Sequence, residues 1–133
     1  MSGKFVPAAK AVRQQHDWGS LGWCSRPADT SANQLVVIEV TLAPGGGHVF
    51  HKHPQREEVI YVIEGEVEQW REGEKRQMTP GDSVFLPAGT VHASFNTGQS
   101  NAKLLAVLAP GVGDGDGYEV VEVADEAPWN ALR

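Results

Sequence analysis

Short β-branched and aromatic runs alternate with turn signals along most of this 133-residue chain. The run from 35 to 42 alternates apolar residues such as Ile38 and Val40 with polar ones, which is the period of two expected of a half-buried strand. Between 35 and 109, no stretch shows the period that marks an amphipathic helix. Many short strands with a turn signal roughly every eight to twelve residues predict an all-β sandwich or barrel.

The turn signals divide the chain into predicted strands and loops. The strands are predicted at 35–42, 59–63, 67–71, 83–86, 91–97 and 103–108, with an edge strand at 118–123 after a Gly-rich loop. Upstream, we predict a short helix at 8–15. Trp18, Leu21 and Trp23 are predicted to cap a barrel end or to pack on a partner subunit. The predicted organisation is an N-terminal extension (1–34), a barrel core (35–109) and a C-terminal loop with an edge strand (110–133).

Charge and composition narrow the set of partners. The formal net charge is −6 and the basic residues are scattered, which argues against nucleic acid and against an anionic membrane. No apolar run approaches the roughly 20 residues of a membrane-spanning helix. The first residues lack the apolar region of a secretory signal, and the single cysteine, Cys24, has no partner for an internal disulfide. We therefore predict a cytoplasmic protein.

Three histidines and a glutamate form the most informative set of polar residues. His51 and His53 are separated by one residue, so on an extended strand both side chains leave the same face. Glu58 can add an oxygen ligand and His92 a third nitrogen. Mixed nitrogen and oxygen ligation of this kind suits a divalent first-row metal. The sequence therefore predicts a metal pocket on a β scaffold.

Two motifs between residues 45 and 96 resemble those of the cupin superfamily. The first is Gly, five residues, His-x-His, four residues, Glu, six residues, Gly, formed here by Gly45, His51, His53, Glu58 and Gly65. The second is Gly, five residues, Pro-x-Gly, two residues, His, three residues, Asn, formed here by Gly81, Pro87, Gly89, His92 and Asn96. Every position of both motifs is filled, which makes the match far more specific than an isolated His-x-His.

The resemblance implies a double-stranded β-helix, or jelly roll, with one divalent transition metal (Fe, Mn, Ni, Co or Zn) deep in the barrel. It implies that the metal ligands are His51, His53, Glu58 and His92. With one copy of each motif, the chain resembles the small single-domain cupins that commonly form homodimers. Asn96 is predicted to bind backbone groups rather than the metal.

Other polar residues near the motifs are weaker candidates. Glu57 competes with Glu58 as the carboxylate ligand, but the spacing to the next motif glycine favours Glu58 and leaves Glu57 in solvent. His48 is either an acid or base near the site or a surface residue, and we favour the surface position. Tyr61 can offer its hydroxyl to a ligand, and Gln69 is a candidate for the pocket wall. The catalytic candidates are therefore Glu57, His48 and Tyr61.

A divalent ion held by three neutral imidazoles and one carboxylate polarises a bound carbonyl or carboxylate, or supports O₂ chemistry if it is redox-active. Among cupins this chemistry is found in dioxygenases, decarboxylases, isomerases and lyases. We predict a metal-dependent enzyme that acts on an oxygen-bearing small molecule. The alternative is a non-catalytic cupin that binds a metabolite as a sensor or sequestering domain.

Overall fold

Residues 2–111 and 119–133 are described by the computed structural model, and within them eleven strands form two antiparallel sheets. The strands are β1 (Val12–His16), β2 (Gly19–Ser25), β3 (Val36–Leu42), β4 (Gly47–Lys52), β5 (Glu57–Glu64), β6 (Val67–Arg71), β7 (Glu74–Met78), β8 (Ser83–Leu86), β9 (His92–Asn96), β10 (Ala102–Ala109) and β11 (Val121–Glu122). The larger sheet has the order β1-β2-β3-β10-β5-β8, and the smaller sheet has the order β11-β4-β9-β6-β7. The all-β prediction is confirmed.

Helical structure is limited to short segments. One α-helix, α1 (Pro27–Thr30), connects β2 to β3, and single 3₁₀ turns lie at Ala8–Lys10 and Trp129–Ala131. In the part of the chain that the structure describes, no helix has the length and apolarity needed to cross a bilayer.

The core lies between the sheets and is built mainly from the inner face of the larger one. In β10, alternate residues are buried, and each faces a buried residue on a neighbouring strand: Ala106, for example, lies between Ile38 of β3 and Ile60 of β5. Val36, Leu42 and Val62 have no exposed surface. Burying each such aliphatic side chain contributes roughly 1.5–3 kcal/mol. The period of two therefore sets which residues form the core.

The predicted helix at 8–15 is wrong. Only Ala8–Lys10 forms a 3₁₀ turn, and β1 begins at Val12 and pairs with β2. All five residues of β1 are exposed, so a helix at this position would have no apolar face to bury. Pairing with β2 instead provides hydrogen-bond partners for the backbone of β1. Leu21 and Trp23 lie in β2 with 5% and 1% exposure, so they belong to the barrel wall rather than to a cap.

Strands β7 and β11 also differ from the sequence-based expectation. Strand β7 was not predicted because it is polar, with only Met78 buried, and it is held as an edge strand by its pairing with β6. The edge strand predicted at 118–123 is observed as Val121–Glu122, paired with Lys52 and His51 of β4. Tyr118 and the preceding loop residues from 112 lie outside the described residues.

The outer faces of the two sheets are covered differently. Residues 119–133, here called the back strap, add β11 to the edge of the smaller sheet and then cover its outer face. Under the back strap, Phe50, Trp70 and Phe95 form an apolar cluster that also receives Trp129. The outer face of the larger sheet carries exposed apolar residues instead, including Phe85 at 53% exposure.

Gly65 shows why the first motif ends in glycine. Its φ is +81°, and a Cβ at this position would lie 2.8 Å from the Cα of Ala102. A side chain would therefore be strained and would also push apart the turn that leads from β5 into β6.

Candidate metal centre

Three buried histidines meet between the two sheets. His51 lies near the end of β4, His53 follows just after that strand, and His92 opens β9 directly opposite His51. One ligand atom from each ring lies within 4.8 Å of the others. The ring centroids are 4.1 Å apart for His51 and His92, and 5.1 Å apart for His51 and His53. Three residues from two separate motifs are thus able to hold one ion.

Each of the three rings is oriented by a backbone carbonyl. Nδ1 of His51 lies 2.6 Å from the Val49 carbonyl oxygen, and Nδ1 of His92 lies 2.9 Å from that of Thr90. Nδ1 of His53 lies 2.7 Å from the Glu119 carbonyl oxygen, which is 66 residues away in the chain. A carbonyl only accepts, so Nδ1 carries the proton, and Nε2 of the neutral ring presents its lone pair to the cluster.

Glu58 enters the cluster from the larger sheet. It lies between Leu108 and Leu86 on neighbouring strands and is 5% exposed, so its own sheet offers the carboxylate only apolar neighbours. Its Oε1 lies 2.8 Å from Nε2 of His92 and 3.5 Å from Nε2 of His53. A buried carboxylate in an apolar row requires a positive partner, and the partner must come from the opposite sheet.

The contact between Glu58 and His92 is chemically incomplete in the neutral state. With the His92 proton on Nδ1, Nε2 and the carboxylate oxygen are both acceptors, and within the described residues neither has a hydrogen-bond partner of good geometry. Nitrogen and oxygen ligands about 2.0–2.2 Å from one ion lie roughly 2.8–3.6 Å from each other, from octahedral to tetrahedral geometry. The two Glu58 distances match that spacing, so the residues present fit a divalent metal.

The pKa values reflect this arrangement. Burial raises the pKa of Glu58, but the contact with His92 and the neighbouring histidine rings outweigh it and leave the pKa lowered. Burial lowers the pKa of His92, but Glu58 outweighs it and leaves that pKa raised. Burial holds the pKa of His51 well below its usual value and also lowers that of His53. Near neutral pH, His51 and His53 are therefore neutral rings, the form that binds a metal.

His48 lies in the site, so the predicted surface position is wrong. His48 pairs with Ser94, and His51 pairs with His92. Between these two pairs the chain advances three residues on β4 but only two residues on β9, so β4 carries one extra residue. This β-bulge places two residues that are three apart on the same face of the strand. The rings of His48 and His51 stack with centroids 3.6 Å apart, and burial lowers the pKa of His48 to about 4.

Trp18, predicted to cap a barrel end or to pack on a partner subunit, lies beside the histidine cluster. Its ring stacks on His48 with centroids 5.5 Å apart, and His16 stacks on its other side at 4.9 Å. Trp18 lies in the turn between β1 and β2 and packs against both inner apolar clusters. It therefore covers the histidine cluster from the side of the two N-terminal strands.

The cavity beside the cluster has one polar and one apolar wall. His48, His51, His92 and Ser94 line it from the smaller sheet, whereas the larger sheet contributes aliphatic side chains and Glu58. Its volume is about 30 Å³, which suits a water-sized ligand. Bulk water is thus largely excluded from the histidine rings.

The remaining candidates are placed as follows. Glu57 and Tyr61 lie on the exposed, outer face of β5, opposite to Glu58, so neither reaches the cluster. Gln69 is buried on the inner face, where its Oε1 accepts a hydrogen bond from Ser94 Oγ at 2.6 Å. Asn96 Nδ2 donates to the carbonyl oxygens of Leu42 and Ser100, so its predicted bonding to backbone is confirmed.

Comparison with known proteins agrees with the motifs. A family model described as a cupin domain matches residues 38–108, more than half of the chain. Quercetin 2,3-dioxygenase of Bacillus subtilis is 34% identical over 92 residues, and the match covers 65% of this chain but 27% of that protein. An uncharacterized protein of Aquifex aeolicus is 34% identical over 89 residues, covering 67% of this chain and 65% of the relative. The chain thus spans less than two thirds of either relative.

Among solved structures, that of KdgF from Halomonas sp. superposes with a TM-score of 0.73 at 22% identity. The superposition covers 82% of this chain and 94% of the other. At this identity the likeness shows the fold, and it agrees with the jelly roll expected from the two motifs.

Proposed function

Because the chain belongs to the cupin family, we propose that it is a metal-dependent enzyme that acts on an oxygen-bearing small molecule. The observation that carries this proposal is the convergence of three buried histidine rings, with one ligand atom from each within 4.8 Å of the others, beside the buried carboxylate of Glu58. We propose His51, His53, Glu58 and His92 as the ligands of one Fe, Mn, Ni, Co or Zn ion. When bound, such an ion supplies a Lewis acid and, if it is redox-active, a centre for oxidation chemistry.

The protein groups around the cluster bind, orient and shield. The three backbone carbonyls that accept from Nδ1 hold the imidazoles in the ligating orientation, an effect whose loss typically costs 10–100-fold in metal affinity. The aliphatic wall of the larger sheet keeps water away from the reacting groups. His48, neutral because burial lowers its pKa to about 4, can accept a proton but cannot donate one as an imidazolium at neutral pH.

The reaction class is inferred from similarity to known proteins rather than from the geometry of the site. The similarity to a quercetin 2,3-dioxygenase supports an oxidative reaction first, although it covers only part of that protein. Decarboxylase, isomerase and lyase activities use the same donor set and are the next to be tested. A metabolite-binding role without turnover is the alternative.

Metal content tests the proposal directly. We expect about one divalent ion per chain in untagged protein measured by mass spectrometry, and loss of that ion in His51→Ala and His92→Ala. His16→Ala is the matched control, because His16 is exposed and lies outside the group of ligand atoms. Wild-type protein that carries no stoichiometric metal after growth in metal-replete medium contradicts the proposal.

Turnover separates the enzyme from the binding protein. O₂ consumption is measured with phenols, β-diketones and hydroxy acids, and product formation with a parallel panel of carboxylates and sugars. Consumption of O₂ in the first panel supports a dioxygenase. Absence of turnover in both panels, with metal present, favours the metabolite-binding alternative.

We also propose that the protein forms a homodimer through the outer face of the larger sheet. Val37, Val107, Val59 and Phe85 occupy one continuous row across β3, β10, β5 and β8. Val59 and Phe85 are 39% and 53% exposed, and contiguous exposed apolar rows mark contact surfaces. Phe85→Asp should give a monomer by light scattering, whereas Leu35→Asp, at a residue 52% exposed, should remain dimeric.

We propose the cytoplasm as the compartment, since Cys24 is an exposed free thiol and the cytoplasm keeps thiols reduced. Cell fractionation with an antibody to the protein tests this assignment.

A further inference from the structure

A second cavity, here called the edge groove, lies where the two sheets end. Strand β7 is the last of the smaller sheet and β8 the last of the larger one. The edge groove lies between them, with a volume of about 280 Å³. Its polar side is formed by Gln69, Arg71, Glu74 and Arg76, and its apolar side includes Val84 and Phe85. This volume lies near the lower end of the roughly 300–1,000 Å³ typical of ligand pockets.

The edge groove is one strand away from the histidine cluster on the smaller sheet. Arg71 faces His92 in the β6–β9 ladder, and Gln69 faces Ser94. Residues paired in this way have Cβ atoms about 4.5–5.5 Å apart. The hydrogen bond from Ser94 Oγ to Gln69 Oε1 forms the partition between the groove and the cluster.

On the larger sheet, too, neighbouring residues on adjacent strands line the two cavities. Val84 of β8 faces Ile60 of β5, and Ile60 lines the cavity at the cluster whereas Val84 lines the edge groove. The two cavities are therefore side by side along both walls of the barrel. A ligand held in the groove reaches the cluster only if the Gln69 side chain moves away from Ser94.

The polar side of the edge groove is built to hold a carboxylate. Glu74 Oε2 accepts from Arg71 at 2.9 Å, and Glu74 Oε1 accepts from Arg76 Nε at 3.0 Å. Two guanidinium groups thus share one carboxylate, which leaves a local excess of one positive charge in a chain whose net charge is −6. A guanidinium has five donors, so each arginine retains donors for a second acceptor.

We propose that the edge groove binds the carboxylate of a small organic acid, which takes the place of Glu74 between Arg71 and Arg76. The apolar body of the acid lies against Val84 and Met78, and its far end points to the cluster. This assignment rests on the proposed function in one respect, the role of that far end as the reacting group. The carboxylate site itself is defined by the two arginines and is testable separately.

Calorimetric titration with phenylacetate as the probe tests the edge groove, with phenylacetamide as the neutral isostere. We expect the acid to bind and the amide to bind at least about threefold more weakly. Arg71→Gln and Arg76→Gln should each weaken phenylacetate binding about three- to tenfold. Glu74→Gln should tighten it several-fold, because the competing internal carboxylate has been removed.

Arg13→Gln is the matched control. Arg13 is 47% exposed, is paired with Glu39 on the opposite edge of the larger sheet, and undergoes the same change in charge. Equal weakening by Arg13→Gln overturns the proposal, since it would reflect net charge alone. Weaker or unchanged binding by Glu74→Gln overturns it too, as does equal binding of acid and amide.

Metal analysis of every variant separates this proposal from the proposed function. Phenylacetate binding that follows the expected order in a protein without stoichiometric metal supports the edge groove and contradicts the metal-dependent function. The opposite result is one metal ion per chain together with phenylacetate binding that does not respond to Arg71→Gln or Glu74→Gln. That result supports the metal-dependent function and contradicts the edge groove as a carboxylate site.

Discussion

Across the barrel, the inner face of the larger sheet is apolar at nearly every buried position, and Glu58 is its only buried acidic residue among those described. The inner face of the smaller sheet carries His48, His51 and His92 together with Ser94 and Gln69. One sheet therefore supplies hydrophobic stabilisation, and the other supplies nearly all the chemistry. Glu58 is the point where they meet, since its negative charge is stabilised only from the opposite sheet.

The outer faces show the opposite division. The smaller sheet has its outer face covered by the back strap, whereas the larger sheet leaves a row of apolar side chains exposed. The back strap also supplies the Glu119 carbonyl that orients His53. The sheet bearing the three histidines is thus supported on both faces, which holds the histidine rings in place.

The largest effect, on metal content, is expected when Glu58 is replaced by an aliphatic residue like its neighbours in the larger sheet. Glu58→Leu should reduce the metal content to background, because the cluster loses its only anionic donor. In the metal-free protein, Glu58→Leu removes one partner of the buried pair with His92, so it should lower the free energy of unfolding by up to about 3–5 kcal/mol. Metal analysis and thermal unfolding check both parts. Retention of one ion per chain after Glu58→Leu would show that Glu58 is not a ligand.

The two faces of the larger sheet should differ strongly in their contribution to stability. Leu42→Ala, at a residue with no exposed surface, should lower the free energy of unfolding by about 2–5 kcal/mol. Val59→Ala, at a residue 39% exposed on the outer face, should cost less than about 1 kcal/mol in the monomer. Urea unfolding at low protein concentration measures both. Similar costs would mean that the core does not lie where the burial pattern places it.

The back strap should contribute both to stability and to the metal site. Trp129 packs on Phe50 with ring centroids 5.7 Å apart, so Trp129→Ala should lower the free energy of unfolding by about 1–3 kcal/mol. It should also weaken metal binding by up to about tenfold through the loosened Glu119 carbonyl. Chelator competition measures the second effect. Tyr61→Ala is the control, because Tyr61 is an exposed aromatic on the uncovered sheet; metal binding weakened equally by both changes would argue against a role for the back strap.

The smallest effect is expected at the ion pair that fixes the end of the back strap. Burial raises the pKa of Glu68, but hydrogen bonds from Arg133 and Trp70 outweigh it and leave the pKa lowered. A lowered pKa contributes stability that is present above the unfolded-state pKa and is lost as the pH falls through the folded-state value. Glu68→Gln should therefore cost up to about 1 kcal/mol at pH 7, and the difference from wild type should vanish in acid. A difference that persists unchanged at low pH would assign the effect to packing rather than to charge.

Much of the barrel could be predicted because strands and turns are specified by residues close together in the chain. The strand from Val36 to Leu42 follows from alternation alone, and the turn at Gly65 follows from a residue that tolerates positive φ. The spacing of the two motifs likewise indicated which three histidines would be buried together. The prediction of a helix at 8–15 was wrong because the exposed edge strand β1 has no alternation of apolar and polar residues to identify it. The conformation of β1 comes from pairing with β2.

By itself, the sequence determined the all-β class, the positions of most strands along the chain and the three histidines of the cluster, because strand periodicity and turn chemistry act over a few residues. Only the tertiary structure decided that a bulge turns His48 inward, that the Glu119 carbonyl holds His53 and that Arg71 lies beside His92. Those relations depend on which strands pair and in which register. Register is set by burial and ladder hydrogen bonds across the whole barrel, so no local pattern records it.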